Sequence, residues 1–391
     1  MEKNVCIISA KRTPIGAFGG CFNDVSAIVL GAASLEKAVQ SINLGEKIEK
    51  KQHFFAFFGC VLQAGLGQNP CKQVVSKVFS VDVNCSSITI NHVCGSGMTA
   101  ITQAYDAIRL KKTQFAIAGG MDNMSRAPYL LEDVRFECKK EQGIVIDSMQ
   151  FDGLEDAYNN LPMINLAEGT AKAQNINRAE IEAYVFNSFK NAQKAIKNGW
   201  FKEEIAEVFV KKQISEDEVF YKVIPEKFQK LKPVVSEGIL TAATSSAIAD
   251  GAASVILMEE NAALKAGITP LARIIGYANS SVNPRDFTIA PVLAIERLCQ
   301  EIGWNVNDAE LFEINEAFAT VPLFVAKNLK IPLKKINVSG GACVLGHPLG
   351  CSGARIIVTL IHNMRRLGAK KGIATICIGG GEGIAIAVEI H

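Results

Sequence analysis

The sequence has no run of 18 apolar residues, and this excludes a helix able to span a bilayer. Its N-terminus, MEKNVCIISAKRTP, carries a short apolar stretch but no signal-peptide cleavage pattern, so the expected location is cytoplasmic, with no membrane partner. An excess of charge of one sign is also missing: 41 Lys+Arg against 39 Asp+Glu leave a formal +2. That balance argues against nucleic acid as a partner and leaves room for a local basic site for a phosphorylated ligand. Histidine is scarce, at five, and the eleven cysteines form no CxxC pair. Zinc-ligand spacing is therefore lacking, and no metal is expected. Cysteines of this kind are by default small buried hydrophobes in a reducing compartment.

What is present is apolar residues and glycine. The 391 residues are 49% hydrophobic and 20% charged, with 32 glycines, enough for substantial cores and for two or three domains. Val5–Ser9 reads as a strand, Ser26–Val39 as a helix and Phe54–Phe58 as a buried strand. Met98, Ile101, Tyr105 and Ile108 form a helical stripe, and Phe115–Gly120 is a strand ending in glycines. The last third follows the same grammar. Ile336–Ala342 is expected as a strand, then comes a helix with Ile356, Ile357, Leu360, Ile361 and Met364 on one stripe, then the strand Gly372–Ile378. CGSG at 94–97 aligns with GCSG at 350–353 at an offset of 256 residues, and AGGMD at 118–122 aligns with IGGGE at 378–382 at an offset of 260. Two related α/β halves explain this pattern. Residues 121–248 are more polar, with charge clusters at Lys139-Lys140-Glu141 and Glu216-Asp217-Glu218 and a helical stretch at 178–198. They read as an insertion that covers substrate.

Four positions carry candidate chemistry. Cys94 lies at a strand-to-helix junction between glycine and serine, where the helix dipole is expected to lower its pKa from about 8.5 toward neutrality. A buried cysteine in a glycine turn is an equally weighted reading of that motif alone. His347 sits in LGHPLG, where Pro348 and two glycines fix its direction. Cys377 ends the last strand before three glycines and by itself reads as core, while Asn315, after Leu311–Ile314, reads most simply as a helix N-cap.

Taken together, NHVCGSGMTA, NEAFA, GGACVLGHPLGCSGAR and CIGGGEG, in this order and spacing, closely resemble the thiolase family. The resemblance extends to RTPIGAFGG, VLQAGLGQNP, GGMDNMSRAPY and DGAASVILM, so it covers nearly the whole chain. It implies an α/β fold of two similar stacked halves in five layers, α-β-α-β-α, with an inserted loop domain. The expected divisions are 1–120 with 249–270 for the first half, 121–248 for the loop domain over CoA, and 271–391 for the second half. It also implies roles for particular residues. Cys94 would take the acyl group from a CoA thioester, and His347 would accept its proton. Cys377 would be the acid/base at the α-carbon of the second acetyl-CoA. One oxyanion hole would join His347 Nε2 to a water held by Asn315, and the other the backbone N–H groups of Cys94 and Gly380. Ser246, Met163, Phe287 and Lys222 would contact the CoA substrate.

The chain also departs from the pattern. Pro162-Met163-Ile164 replaces His-Met-Gly, Phe287-Thr288 stands where Met-Gly is frequent, and no arginine is found near the adenine, where Tyr221 or Lys222 is nearest. Glu382 occupies a place where methionine or glutamine is common, and the sequence offers no physical reason for it. The expected activity is acetyl-CoA C-acetyltransferase: two acetyl-CoA giving acetoacetyl-CoA and CoA, with no separate cofactor, in lipid metabolism and as a homotetramer. The alternatives are a broader 3-ketoacyl-CoA thiolase of β-oxidation and a non-catalytic scaffold or lipid carrier. A decarboxylating ketoacyl synthase is disfavoured by the second cysteine, Cys377.

Overall fold

A computed structural model describes residues 4–44, 52–131 and 144–390; the Lys139-Lys140-Glu141 cluster lies outside them. The first part of the chain forms β1 (Val5–Arg12), α1 (Ala27–Gln40), β2 (Phe54–Gly59), α2 (Pro70–Val78), β3 (Cys85–Ile90), α3 (Ser96–Arg109) and β4 (Phe115–Asn123). Next come α4 (Met163–Ala173), α5 (Arg178–Lys197) and β5 (Ala249–Glu259). The last part forms β6 (Ala272–Ser281), α6 (Ala290–Ile302), β7 (Leu311–Ile314), α7 (Thr320–Leu329), α8 (Leu349–Leu367), β8 (Lys371–Ile378) and β9 (Glu382–Glu389). Local chemistry sets many of the boundaries. The Ser26 hydroxyl accepts from the Ile28 N–H at the start of α1, Asn177 and Glu180 form a capping box on α5, and α8 stops at Gly368 in the left-handed region.

The two halves repeat one topology. In the first, the strand order is β3-β2-β4-β5-β1, and in the second it is β7-β8-β9-β6. β2 runs parallel to β3 and β4, while β4–β5 and β5–β1 are antiparallel. Correspondingly, β7–β8 is parallel, and β8–β9 and β9–β6 are antiparallel. A short antiparallel ladder between Val5–Ile7 and Ala272–Ile274 joins the halves. The expected strand Ile336–Ala342 does not form; it is reduced to a single parallel bridge from Ile336 to Phe312. Asn337 turns to φ 47° and leaves the extended region. Its side chain takes over the ladder, accepting from the Ile314 N–H at 2.8 Å and donating to the Ile314 carbonyl at 2.9 Å.

Helices and sheets alternate in five layers. α1 and α2 cover the outer face of the first sheet, α3 and α8 lie between the sheets, and α6 and α7 cover the outer face of the second. The central layer buries both expected stripes: Met98, Ile101, Tyr105 and Ile108 from α3, and Ile356, Ile357, Leu360, Ile361 and Met364 from α8, with Tyr105 alone keeping slight exposure. The helices cross at small residues. A Cβ at Gly97 would stand 2.8 Å from the Ala354 nitrogen, and one at Gly353 would stand 2.5 Å from the Met98 nitrogen. Any side chain there would drive the helices apart. The two contacts are related by the same 256-residue offset as CGSG and GCSG, so the crossing lies on the approximate twofold axis of the repeat.

The segment between β4 and β5 contains α4, α5 and three two-stranded ribbons that stay off the main sheet. It is tied to the first half by a buried charge cluster. Arg12 of β1 pairs with Glu204 at 2.6 Å and grips Asp217 with two bonds of 2.7 and 2.9 Å. All three side chains are buried. Glu218 accepts from the backbone N–H groups of Ala17 and Cys21, so Asp217 and Glu218 of the acidic run are built inward while Glu216 stays exposed. Removing one partner of such a cluster leaves uncompensated buried charge. Arg12→Met should therefore lower unfolding free energy by about 3–5 kcal/mol, the usual cost of breaking a buried pair, as read from urea denaturation. A loss below about 1 kcal/mol, the worth of an exposed pair, would show that the cluster does not hold the segment in place.

Candidate active site

Each central helix is entered through a constrained turn, and both turns open into one cavity. Ahead of α3, Val93 adopts φ 44°, a strained conformation for a β-branched residue. Ser96 closes this elbow from inside. Its hydroxyl accepts from the His92 N–H at 2.8 Å and donates to the Val93 carbonyl at 2.6 Å. Cys94 is thereby turned toward the cavity. Ahead of α8, His347 is buried with its Nδ1 2.5 Å from Ser352 Oγ. The Ser352 proton is engaged by the Pro348 carbonyl at 2.8 Å, so Ser352 accepts from Nδ1–H. Nε2 is left as the unprotonated nitrogen. Ser96 and Ser352 occupy the same place in the two repeats, and each orders the turn before its helix.

Asn315 is not a helix cap. It continues from β7, its N–H donates to the Thr375 carbonyl at 3.0 Å, and α7 begins only at Thr320. Its side-chain nitrogen lies 3.4 Å from His347 Nε2, and its Oδ1 is buried with no hydrogen-bond partner among the described residues. The neighbouring Glu316, fully buried, accepts from Tyr184 at 2.7 Å, Asn337 at 2.8 Å and the Cys343 N–H at 3.0 Å. It joins the Asn315 turn to α5 and to the segment leading to His347. Cys377 is buried near the end of β8, and the glycine turn after it has Gly380 at φ 93°.

Burial dominates the electrostatics. It pushes the Cys94 thiol up to about 12, opposed only in part by the Gly379 N–H. The expected depression by the helix dipole is therefore overturned, because desolvating a thiolate outweighs a partial charge at a helix end. Burial, reinforced by nearby Cys94, raises Cys377 well above the ordinary thiol range. Burial, with Arg355 adding to it, lowers His347 to about 3. At rest the site thus holds neutral thiols and a neutral imidazole, a set able to exchange protons without storing charge.

The cavity measures about 440 Å³. Of the residues expected from sequence, Cys94, His347, Gly380, Ser246, Met163 and Phe287 line it. Asn315 stands behind His347, and Cys377 is close enough to Cys94 to feel its charge. Lys222 lies outside the lining, half-exposed and 3.3 Å from Glu218, while the exposed Tyr221 donates to Glu216 at 2.6 Å. Sequence reasoning missed the wall formed by residues 151–160, among them Phe151, Leu154, Asp156 and Tyr158, which carries no motif. It also missed Ser96 and Ser352, although the 256-residue repeat places them in register. Among the described residues, no cluster of His, Cys, Asp and Glu could hold a metal, and no helix is long and apolar enough to cross a membrane.

The thiolase N-terminal domain family matches residues 5–261, and the thiolase C-terminal domain family matches 268–390. The chain belongs to the thiolase family. Thiolases are acyltransferases, and this chain is an enzyme of that kind. It is 43% identical over 396 residues to the acetyl-CoA acetyltransferase of Escherichia coli, covering 99% of each chain. It is 38% identical over 400 residues to that of Syntrophomonas wolfei, covering 100% of each. The crystal structure of the Ascaris suum Acat5 thiolase in complex with coenzyme A superposes with a TM-score of 0.92 at 36% identity, covering 100% of both chains. Human mitochondrial 3-ketoacyl-CoA thiolase gives 0.93 at 34% identity, covering 100% of this chain and 99% of that one.

A raised pKa means that the reactive thiolate of Cys94 is scarce at neutrality and grows with pH. Alkylation of Cys94 by iodoacetamide, followed by peptide mass spectrometry, should accelerate by about tenfold per pH unit from 7 to 9 without levelling. A plateau below pH 8 would mean that the dipole wins over burial after all.

Proposed function

We propose that this thiolase catalyses the reversible Claisen condensation of two acetyl-CoA to acetoacetyl-CoA and CoA, by a ping-pong route through acetyl-Cys94. One observation carries the reading: Cys94 and His347, from opposite ends of the chain, face one cavity at the adjoining N-termini of α3 and α8, with Cys377 buried beside Cys94. His347 Nε2 takes the Cys94 proton as the sulfur attacks the thioester carbonyl. The backbone N–H groups of Cys94 and Gly380 receive the developing oxyanion. The proton then passes from His347 to the departing CoA sulfur, leaving acetyl-Cys94.

In the second half-reaction Cys377 gives its proton to His347 Nε2 and, as thiolate, removes the α-proton of the next acetyl-CoA. Its raised pKa makes that thiolate a strong base, suited to a weak carbon acid. The enolate oxygen is held by His347 Nε2, now protonated, and by a water on Asn315, whose unpaired Oδ1 suits that task. The enolate attacks the acetyl carbon, the carbon–sulfur bond to Cys94 breaks, the His347 Nε2 proton passes to the Cys94 sulfur, and Cys377 keeps the α-proton, so the resting thiols are restored. No cofactor enters the scheme; the CoA thioester is substrate. Ser246 and Met163 are the proposed pantetheine contacts, while Lys222, outside the cavity lining, is left a role only near the adenine end.

Short acyl groups are favoured by Met163, Phe287, Phe318 and Leu349, which crowd the cavity. The names of the Escherichia coli and Syntrophomonas wolfei relatives support this reading, and the human 3-ketoacyl-CoA thiolase keeps the broader-chain alternative in view. We further infer a cytoplasmic homotetramer serving lipid metabolism. β3 is the terminal strand of its sheet, with Ile88 49% exposed, and so offers an edge to a second copy.

Incubation with acetyl-CoA should leave an acetyl group on Cys94, found by peptide mass spectrometry, and Cys94→Ala should abolish synthesis and thiolysis. Cys377→Ala should still acquire the acetyl group, yet lose condensation by at least about 10²–10⁴, the worth of a general base. Acetylation lost and methyl-proton exchange kept in Cys377→Ala would mean that the two cysteines have exchanged roles. A thiolysis panel from four to sixteen carbons tests chain length. Acetoacetyl-CoA should be cleaved by far the fastest, and Phe287→Ala should shift the optimum to longer chains. Equal rates with 3-ketohexadecanoyl-CoA would favour the β-oxidation reading.

A further inference from the structure

Glu382, unexplained by the sequence, acquires a partner in the fold. His92 precedes Cys94 by two residues and Glu382 follows Gly380 by two, and their side chains meet, Nε2 to Oε2, at 2.6 Å. The other ring nitrogen of His92 is 2.7 Å from Thr99 Oγ1 on α3. We propose that His92 and Glu382 are a positioning pair that fixes the spacing between the Cys94 elbow and the Gly379–Gly381 turn.

The inference rests on the acyl-transfer reading above, which draws one oxyanion donor from each of these turns. No covalent link joins the two donors locally, so their separation depends on whatever ties the turns together. Both turns adopt unusual backbone: Val93 at φ 44°, Gly380 at 93° and Gly381 at 90°. The Val93 conformation persists only where the surroundings over-determine it, and the glycine turn has no side chain of its own to anchor it. His92 is suited to that task because its backbone N–H is held by Ser96 and its ring by Thr99 and Glu382. Glu382 in turn opens β9, in register with Ser281 on one side and Ile378 on the other, so its carboxylate is carried on a rigid strand.

The pair acts from behind. It lines a separate polar cleft of about 300 Å³ with Thr99, Tyr277 and Asn279, and none of these residues borders the cavity that holds Cys94. Neither side chain therefore reaches substrate in that cavity. With His92 28% and Glu382 45% exposed, the pair adds little to global stability. A small displacement of an oxyanion donor, by contrast, acts directly on rate. Rate without stability is the signature that separates positioning from scaffolding.

The test uses the full chain as wild type, His92→Ala, Glu382→Ala, the double variant and Glu382→Gln. Three quantities are read: the rate of acetyl-Cys94 formation by rapid quench and mass spectrometry, exchange of acetyl-CoA methyl protons with deuterated water, and the thermal midpoint. Each alanine variant should acetylate about tenfold more slowly, as expected for a misplaced donor. Proton exchange should stay within about twofold, since it uses the His347–Asn315 side of the site, and the midpoint within about 2 °C. The double variant should be no slower than either single one, because one tie is lost in all three. Glu382→Gln, which keeps an acceptor for the ring N–H, should retain most of the rate. Acetylation within about twofold of wild type in both alanine variants overturns the proposal. So do losses that multiply in the double variant, and a parallel fall of acetylation, exchange and midpoint, which would mark a merely structural pair. Wild-type protein that neither acetylates nor cleaves acetoacetyl-CoA overturns the acyl-transfer reading itself, and the inference with it.

Discussion

The close crossing of α3 and α8 is the constraint on which the rest of the molecule depends. Gly97 against Ala354 and Gly353 against Met98 let two buried helices approach backbone to backbone, which any larger residue at the two glycines would prevent. The crossing lies on the approximate twofold of the repeat, so the turns ahead of the two helices open on the same side. One turn carries Cys94 and the other His347. Each is closed by the serine of its glycine motif: Ser96 shapes the elbow, and Ser352 selects the histidine tautomer. One packing contact thus brings together residues that the chain separates by more than half its length.

Burial is the second determinant. The same burial that raises both thiols and lowers the imidazole gives a resting site without charge. In the proposed reaction charge appears only as bonds change, where preorganised N–H donors in a low-dielectric cavity are most effective. Two groups of buried ionisable side chains lie away from the reacting atoms and are well engaged. Arg12 is shared between Glu204 and Asp217, and Glu316 is surrounded by a phenol, a hydroxyl, an amide and a backbone N–H. These clusters tie the inserted segment to the halves at two points, and the wall of residues 151–160 and Met163 in the same segment lines the cavity that holds Cys94.

Much of this was legible in the amino-acid order. Apolar periodicity located the two central helices, because a helix buried on nearly every side must carry a broad stripe. Glycine clusters marked the turns, and the 256-residue offset exposed the doubled topology. The motifs around Cys94, Asn315, His347 and Cys377 carried the family resemblance, and with it the expected roles. Two local readings failed for related reasons. Asn315 resembled an N-cap and 336–342 resembled a strand, since propensity is blind to distant partners. Asn315 is used by His347, and a side-chain amide, Asn337, takes over the ladder of the missing strand.

By itself, then, the sequence determined the repeated α/β architecture, the inserted segment and the candidates for the reacting groups, because periodicity and motif chemistry are written in local order. Only the tertiary structure decided their state and support. That Cys94 is held as a neutral thiol follows from how much protein surrounds it, which no neighbouring residue announces. That Glu382 meets His92, and Glu316 meets Tyr184 and Asn337, follows from packing between segments far apart in the chain. Desolvation and long-range pairing are properties of the assembled volume, and they exist only once the two halves have closed on each other.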